Sequence, residues 1–248
     1  MNPLLDPARR IVIAHRDNRA HAPENTLEAL RQAESLGSDA LEFDVRMSRD
    51  GVAMVIHDAT VDRTTDGRGP VAAHTREELQ RLNAAARFSG SAVHRIPLLE
   101  EALDAHREIP LVIEVKELAA ADATMALIRR FGAERRVIVG SAEGDVMRRF
   151  YGSGIACCAS PGDAGILLMR GLLGSAPVAA PYQVVSVPPR HYGFPIPVAL
   201  LAAAALRRGI PTQVWTVNDP AEAVRFWRAG VAAIITDDPA AMLRVCPR

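Results

Sequence analysis

The sequence predicts an α/β chain closed into a (β/α)8 TIM barrel, one domain over residues 1–248. Three observations lead there. Short β-branched runs alternate with amphipathic segments from Arg10 to Thr236, no Gly-rich dinucleotide fingerprint follows any of the runs, and polar residues collect at their C-terminal ends. At 248 residues and 49% hydrophobic, the chain can bury a core of barrel size.

Taken in order, Arg10 to His15 (RIVIAH) reads as a buried strand that delivers His15, Arg16 and Asp17 to its C-terminal end. Pro23-Glu24-Asn25-Thr26 then opens a helix, with Asn25 as its cap, Glu28 completing a capping box and Leu27, Leu30, Ala33 and Leu36 as its inner stripe. Gly37 closes it. In the stretch Ala40 to Asp58, Glu42 and Asp44 share one strand face while Leu41, Phe43 and Val45 take the other. Asp50-Gly51 is a turn signal almost midway between Asp44 and His57. About six residues out and six back, at roughly 3.3 Å each, return His57 to the level of Asp44.

From Ala59 to Arg95 the apolar period fades into turn residues, which predicts a small rim insertion after the third strand, with one short helix at Thr75 to Leu82. Alternation resumes with helix Leu98 to His106 and strand Ile109 to Lys116, then helix Ala119 to Phe131 and strand Arg136 to Ser141. Helix Glu143 to Tyr151, strand Ile155 to Ala159, a helix near Ala164 to Leu173 and strand Gln183 to Val187 follow. Helix Val198 to Arg208, strand Thr212 to Val217, helix Pro220 to Ala229 and strand Ala232 to Thr236 complete the series. This makes nine strands for eight positions, and the close pair around Asp50-Gly51 is the expected place of the surplus. The segment Ile166 to Leu173, broken only by Arg170, reads as a core-facing helix; exposed, it would offer a surface to an acyl chain.

Charge and composition exclude several classes. With 29 basic and 29 acidic residues, no net field draws the chain to nucleic acid or to an anionic membrane, and no basic run is interleaved with aromatics. No apolar run reaches the roughly 20 residues of a membrane span, so stable membrane insertion is not expected. The first ten residues lack a signal-peptide pattern, and three cysteines, two of them adjacent at 157–158, make neither a zinc spacing nor a disulfide framework. Reduced thiols and a cytoplasmic setting are the expectation.

The chemistry collects at strand ends of one sense. Glu42, Asp44 and Glu114 around one mouth make an oxygen-rich site suited to Ca²⁺ or Mg²⁺, with Mn²⁺ a further candidate. Arg16 and Lys116 add the fixed positive charge that a phosphate requires. His15 and His57 can exchange protons near neutral pH. Together they specify a metal-assisted phosphoester site for a small-molecule diester. Each piece alone has a plain structural alternative: a strand-end histidine is often merely hydrogen-bonded, and Glu114–Lys116 is also a simple ion pair. The histidines at 21, 74, 94, 106 and 191 fall in loops, the insertion or helices and take no role.

In order, His15-Arg16, Pro23-Glu24-Asn25-Thr26, Glu42-x-Asp44, His57-Asp58, Asp62-Arg63-Thr64-Thr65 and Ile96-Pro97-x-Leu99-Glu100-Glu101 resemble the glycerophosphodiester phosphodiesterases. Glu114-x-Lys116, Trp215-Thr216-Val217-Asn218 and Ile234-Ile235-Thr236-Asp237 extend the likeness across nearly the whole chain. The resemblance implies a (β/α)8 barrel with an insertion after the His57-Asp58 strand. It implies Glu42, Asp44 and Glu114 as divalent-metal ligands, His15 and His57 as the acid/base pair, Arg16 and Lys116 on the phosphate, and Trp215 lining the alcohol pocket. It also implies cleavage of glycerophosphodiesters to glycerol 3-phosphate and an alcohol such as choline or ethanolamine, through either a cyclic phosphate or direct attack of water. A lysophospholipase D with the same residues, a phosphodiester-binding barrel without turnover, and a metal-dependent aldolase or enolase-type barrel are the rivals.

Three positions depart from the family pattern. Asp17 stands where Gly is usual, Ser141-Ala142 where Ser-Phe is usual, and Gly230-Val231-Ala232-Ala233 lacks an Asp-Gly. At a solvated mouth beside Arg16, Asp17 would lower the local positive potential and weaken capture of a phosphodiester anion.

Overall fold

The computed structural model describes residues 2–88, 92–174 and 179–247, so positions 89–91 of the expected rim insertion lie outside the described residues. Its strands are β1 (Ile11–His15), β2 (Ala40–Met47), β3 (Ala53–Val55), β4 (Leu111–Val115), β5 (Val137–Gly140) and β6 (Ala156–Cys157). They continue as β7 (Val185–Val187), β8 (Arg190–His191), β9 (Phe194–Pro195), β10 (Thr212–Val214) and β11 (Ala233–Thr236). The helices are α1 (Leu27–Ser35), α2 (Arg76–Arg81), α3 (Leu99–Ala105), α4 (Ala121–Arg130), α5 (Gly144–Phe150), α6 (Pro161–Leu172), α7 (Val198–Leu206), α8 (Pro220–Arg228) and α9 (Pro239–Leu243).

Eight of the strands are parallel neighbours in the order β6-β5-β4-β2-β1-β11-β10-β7, and a parallel bridge between Cys158 and Val184 joins the two ends. The ring is the expected TIM barrel. The surplus strand is β3, which runs antiparallel to β2 and is where the Asp50-Gly51 turn places it. The amide of Ile56 donates to the carbonyl of Asp44 at 3.0 Å, so the chain returns to the Asp44 level as the residue count required. Register then sets the site: His15 stands beside Glu42, and Asp44 beside Glu114. On β2 the alternation is plain. Leu41, Phe43 and Val45 are buried against the helical layer, while the carboxylates between them take the opposite face toward the barrel interior.

The 59–95 segment carries its own small apolar cluster, with Val61, Val71, Leu79 and Ala84 packed on Met54, Ile56, Ile96 and Leu98. Its helix α2 is held by the capping box of Thr75 and Glu78.

Three local expectations need correction. The cap of α1 is Thr26, whose hydroxyl accepts from the Ala29 amide, and Asn25 sits before it at φ 57°. Leu30 and Ala33 are buried as expected, joined by Ala29 and with Leu27 partly buried against the core, but Leu36, the C-cap one residue past the end of the helix, is exposed. Helix α6 begins at Pro161, capped by the Ser160 side chain, and it is not core-facing along Ile166–Leu173: only Ala164 and Leu167 are buried. The hairpin β8–β9 and the short helix α9 had no apolar periodicity to announce them. Among the described residues no helix is long and apolar enough to cross a membrane.

Candidate active site

Two residues on β2 anchor the site. Oxygens of Glu42, Asp44 and Glu114 all lie within 4.8 Å of one another, with Glu42 and Asp44 buried and Glu114 half-buried. Three carboxylates this close repel, and the burial that confines them makes each charge more expensive. The strain falls on Glu42, whose carboxyl is pushed up to about 7 by burial and by the Asp44 charge. Asp44 moves the other way: burial would raise it, but Lys116 and Arg16 outweigh that and hold it below the usual range.

The two cations lie in the nest itself. Lys116 Nζ sits 2.9 Å from Asp44 and 2.7 Å from Glu114, and Arg16 Nε is 3.3 Å from Asp44. The Arg16 amide donates to Glu42 at 3.0 Å, which the positive φ of Arg16 (44°) makes possible by turning the chain back over the barrel mouth. Beyond them Glu24 binds Arg16, Arg19 and Arg63, so an acidic hub fixes three guanidiniums around the rim. A hollow of about 480 Å³ lies elsewhere, lined by Asn18, His21, Glu28 and Arg31 beside α1, and none of the expected site residues line it.

The histidines flank the nest as two similar dyads. His15 Nδ1 is 2.6 Å from Asp237, which Asn218 holds through its amide at 2.7 Å. His57 Nδ1 is 2.6 Å from Asp58, which Arg63 clamps. With Nδ1 engaged, each ring presents Nε2, and His15 Nε2 stands 4.0 Å from Glu42. Their environments push them apart. Burial would lower His15, but the Asp237 hydrogen bond and the Glu42 charge outweigh it and raise it; burial lowers His57, helped by Lys116 and Arg16. Trp215, half-exposed, follows β10 at the same end of the barrel.

Every expected site residue thus stands at one end of the barrel, and the structure brings the carboxylates, the two cations and His15 together directly. The sequence reading missed Asn25, which exchanges two hydrogen bonds with Asp44 (Nδ2 to Oδ2 at 2.9 Å, Asp44 amide to Oδ1 at 3.1 Å). It kept Asp237 outside the site as a supporting partner alone, alongside Asp58, and gave Glu24 no role of its own. A signal existed for Asp237, since a carboxylate at a strand end facing a histidine is the ordinary way to fix its tautomer. Asp17 is corrected outright. Its side chain is fully buried and both its oxygens lack partners, so it does not face a solvated mouth. Burial, reinforced by Glu42 and Asp44, lifts its carboxyl well above the usual range, and the side chain lies in the interior, out of the path of an incoming anion. The backbone expectation at this position does hold: Asp17 has φ 75°, in the region that favours Gly.

Comparison with known proteins agrees with this geometry. Residues 15–241 match the model of the glycerophosphoryl diester phosphodiesterase family. The chain is 31% identical over 245 residues to a glycerophosphodiester phosphodiesterase of Caldanaerobacter subterraneus subsp. tengcongensis, covering 96% of this chain and 98% of that one. A crystal structure of a glycerophosphodiester phosphodiesterase from Agrobacterium tumefaciens superposes with a TM-score of 0.79 at 27% identity, over 95% of this chain and all of the other. An Oleispira antarctica phosphodiesterase in complex with the product sn-glycerol-3-phosphate shares the fold, with a TM-score of 0.75 at 23% identity over 95% of this chain and 96% of that one.

Proposed function

The chain belongs to the glycerophosphoryl diester phosphodiesterase family, and from that premise we propose that it hydrolyses glycerophosphodiesters to glycerol 3-phosphate and a small alcohol by acid/base catalysis between His57 and His15. The observation that carries the reading is the pair of His–Asp dyads on either side of a carboxylate nest already lined with two cations.

Glu42, Asp44 and Glu114 fit a hard divalent cation, Ca²⁺ or Mg²⁺ with Mn²⁺ as a third candidate, because three converging oxygens leave Glu42 so short of stabilising charge that it takes up a proton near neutrality. Such a cation, when bound, supplies polarisation of a phosphoryl oxygen. The remaining work belongs to the chain. Arg16 and Lys116 meet the non-bridging phosphate oxygens, and Trp215 offers a flat apolar wall to the departing alcohol. His57, lowered and therefore neutral near pH 7, takes the proton of the attacking hydroxyl at Nε2, while Asp58 holds its Nδ1 proton. His15, raised and therefore more readily protonated, gives its Nε2 proton to the leaving alkoxide, with Asp237 stabilising the cation. The same assignment serves attack by water or by the glycerol 2-hydroxyl, the roles reversing when a cyclic phosphate is opened.

A second reading, lysophospholipase D with the same residues, is favoured by the exposure of the apolar α6 face. The barrel without turnover loses its one argument, since Asp17 is buried and does not face the mouth. The test is release of glycerol 3-phosphate from glycerophosphocholine by purified chain with each divalent metal, compared with choline release from lysophosphatidylcholine. Absence of turnover on both with every metal would overturn the proposal.

A further inference from the structure

The chain as a whole is neutral, but its charges and its exposed apolar groups are not evenly spread. Residues 164–218, less than a quarter of the sequence, contain four arginines, one histidine and no aspartate or glutamate. The same segment holds nine of the thirteen large apolar side chains that are exposed among the described residues. Two features concentrate them. The outward stripe of α6 is Gly162, Gly165, Ile166, Met169, Leu172 and Leu173, spaced along one helical face with no charged residue in it. The hairpin β8–β9 turns at Tyr192-Gly193, leaving Tyr192 90% and Phe194 77% exposed at its tip.

Topology relates the two. The hairpin leaves the C-terminal end of β7, the end where the site lies, and leads directly into α7, which packs on α6. Gly171 permits that close packing, since a Cβ there would meet Ala204 Cβ at 2.7 Å, and the Arg207 guanidinium lies against the same spot, 3.6 Å from it. Basic groups therefore border each apolar feature: Arg170 and Arg207 beside the α6 stripe, Arg190 and His191 beside the hairpin tip. Unopposed cations bordering exposed aromatic and aliphatic side chains complement a negatively charged interface that also accepts apolar groups. A second protein copy is the poorer occupant, because pairing this face with itself would set arginine against arginine, and the one carboxylate of α6, Asp163, is taken up by hydrogen bonds from Tyr151 and Ser160.

We propose that the α6 stripe and the β8–β9 hairpin form a docking surface for an anionic lipid membrane, holding the mouth of the barrel at the lipid–water interface. The aromatic tip enters the headgroup region and the arginines meet lipid phosphates. If the phosphodiesterase reading above also holds, this placement favours acylated diesters drawn from the membrane over the soluble ones; the docking itself does not depend on that reading.

The full chain is floated with vesicles of phosphatidylcholine alone and of phosphatidylcholine with about 25 mol % phosphatidylglycerol, without substrate, so that docking is read apart from catalysis. Binding about tenfold or more tighter to the anionic vesicles, weakening with salt, is expected. Replacing Tyr192→Ser and Phe194→Ser together is expected to lower partitioning about tenfold while hydrolysis of soluble glycerophosphocholine is unchanged. Arg170→Gln with Arg190→Gln, an independent variant should the first fold poorly, is expected to remove the preference for anionic lipid. Equal partitioning of the variants and the wild type, or no binding of the wild type to anionic vesicles, would overturn the proposal. So would a stable dimer in sedimentation that Ile166→Lys dissociates, with no vesicle binding, since that assigns the face to a second copy.

Discussion

Replacing Asp17→Asn tests the most unusual electrostatic feature of the molecule. The Asp17 carboxyl is fully buried without a hydrogen-bond partner near Glu42 and Asp44, and its proton affinity is raised well above the ordinary 3.8. The unfolded chain releases this proton near 3.8 while the folded chain keeps it, so the stability it contributes is complete below that pH and is lost as pH rises toward the folded value. Each unit of pH in that window lowers wild-type stability by about 1.4 kcal/mol from this group alone. That loss accumulates over as much of the range above 3.8 as the folded carboxyl stays protonated, against the roughly 5–15 kcal/mol that holds a typical domain. Asparagine tolerates the φ of 75° and leaves a similar unpartnered polar group, but it does not titrate. Urea melts in excess chelator at pH 5, 6 and 7 should show the variant gaining on the wild type as pH rises, then a constant difference once the folded carboxyl ionises. KM for glycerophosphocholine should change little, because the substituted side chain is buried and does not face the mouth. A stability difference that stays flat over this range would refute the buried neutral carboxyl, and a several-fold fall in KM would restore the charged one.

Chelator should abolish hydrolysis, with Ca²⁺, Mg²⁺ or Mn²⁺ restoring it; full activity after dialysis against EDTA would remove the metal from the reaction. Because Glu42 must lose a proton to ligate, calorimetric Ca²⁺ affinity should rise roughly tenfold per pH unit up to about 7 and level off above it; a flat profile would exclude Glu42 as a ligand. His15→Ala and His57→Ala should each lower kcat by about 10²-fold or more, and the double variant by less than the product, since the two act as a unit; near-normal kcat in either frees that residue from the mechanism. Asp237→Asn removes the hydrogen bond that raises His15, so the alkaline limb of kcat/KM should move to lower pH; an unmoved limb assigns it to another group.

The barrel was legible in the sequence because its signals are redundant. Alternating strands and helices constrain one another through register and burial, so an error of a residue or two at β4 or α5 changes nothing about which ends of the strands meet. The strand-end residues were legible for the same reason: once β2 exists, its period of two fixes Glu42 and Asp44 on one side whatever surrounds them. Reading failed where a single backbone angle decides the outcome. Asn25 looks like a cap because its side chain is the capping type. At φ 57°, however, the helix starts one residue later on Thr26, and the amide is free to reach Asp44. Asp17 looks like a charge at the rim because a strand end delivers it there, yet φ 75° turns its side chain into the interior. Both residues lie in the connection between β1 and α1, where Arg16, Asp17 and Asn18 take positive φ in succession and Asn25 does so again before the helix. No periodicity runs through such a segment, and Asn and Asp are the non-glycine residues that tolerate it best. The helical layer around 164–218 failed differently. An apolar run of that length is as consistent with a buried helix as with an exposed one, and the distinguishing fact, a sector stripped of carboxylates, becomes meaningful only when the fold places those residues on one side.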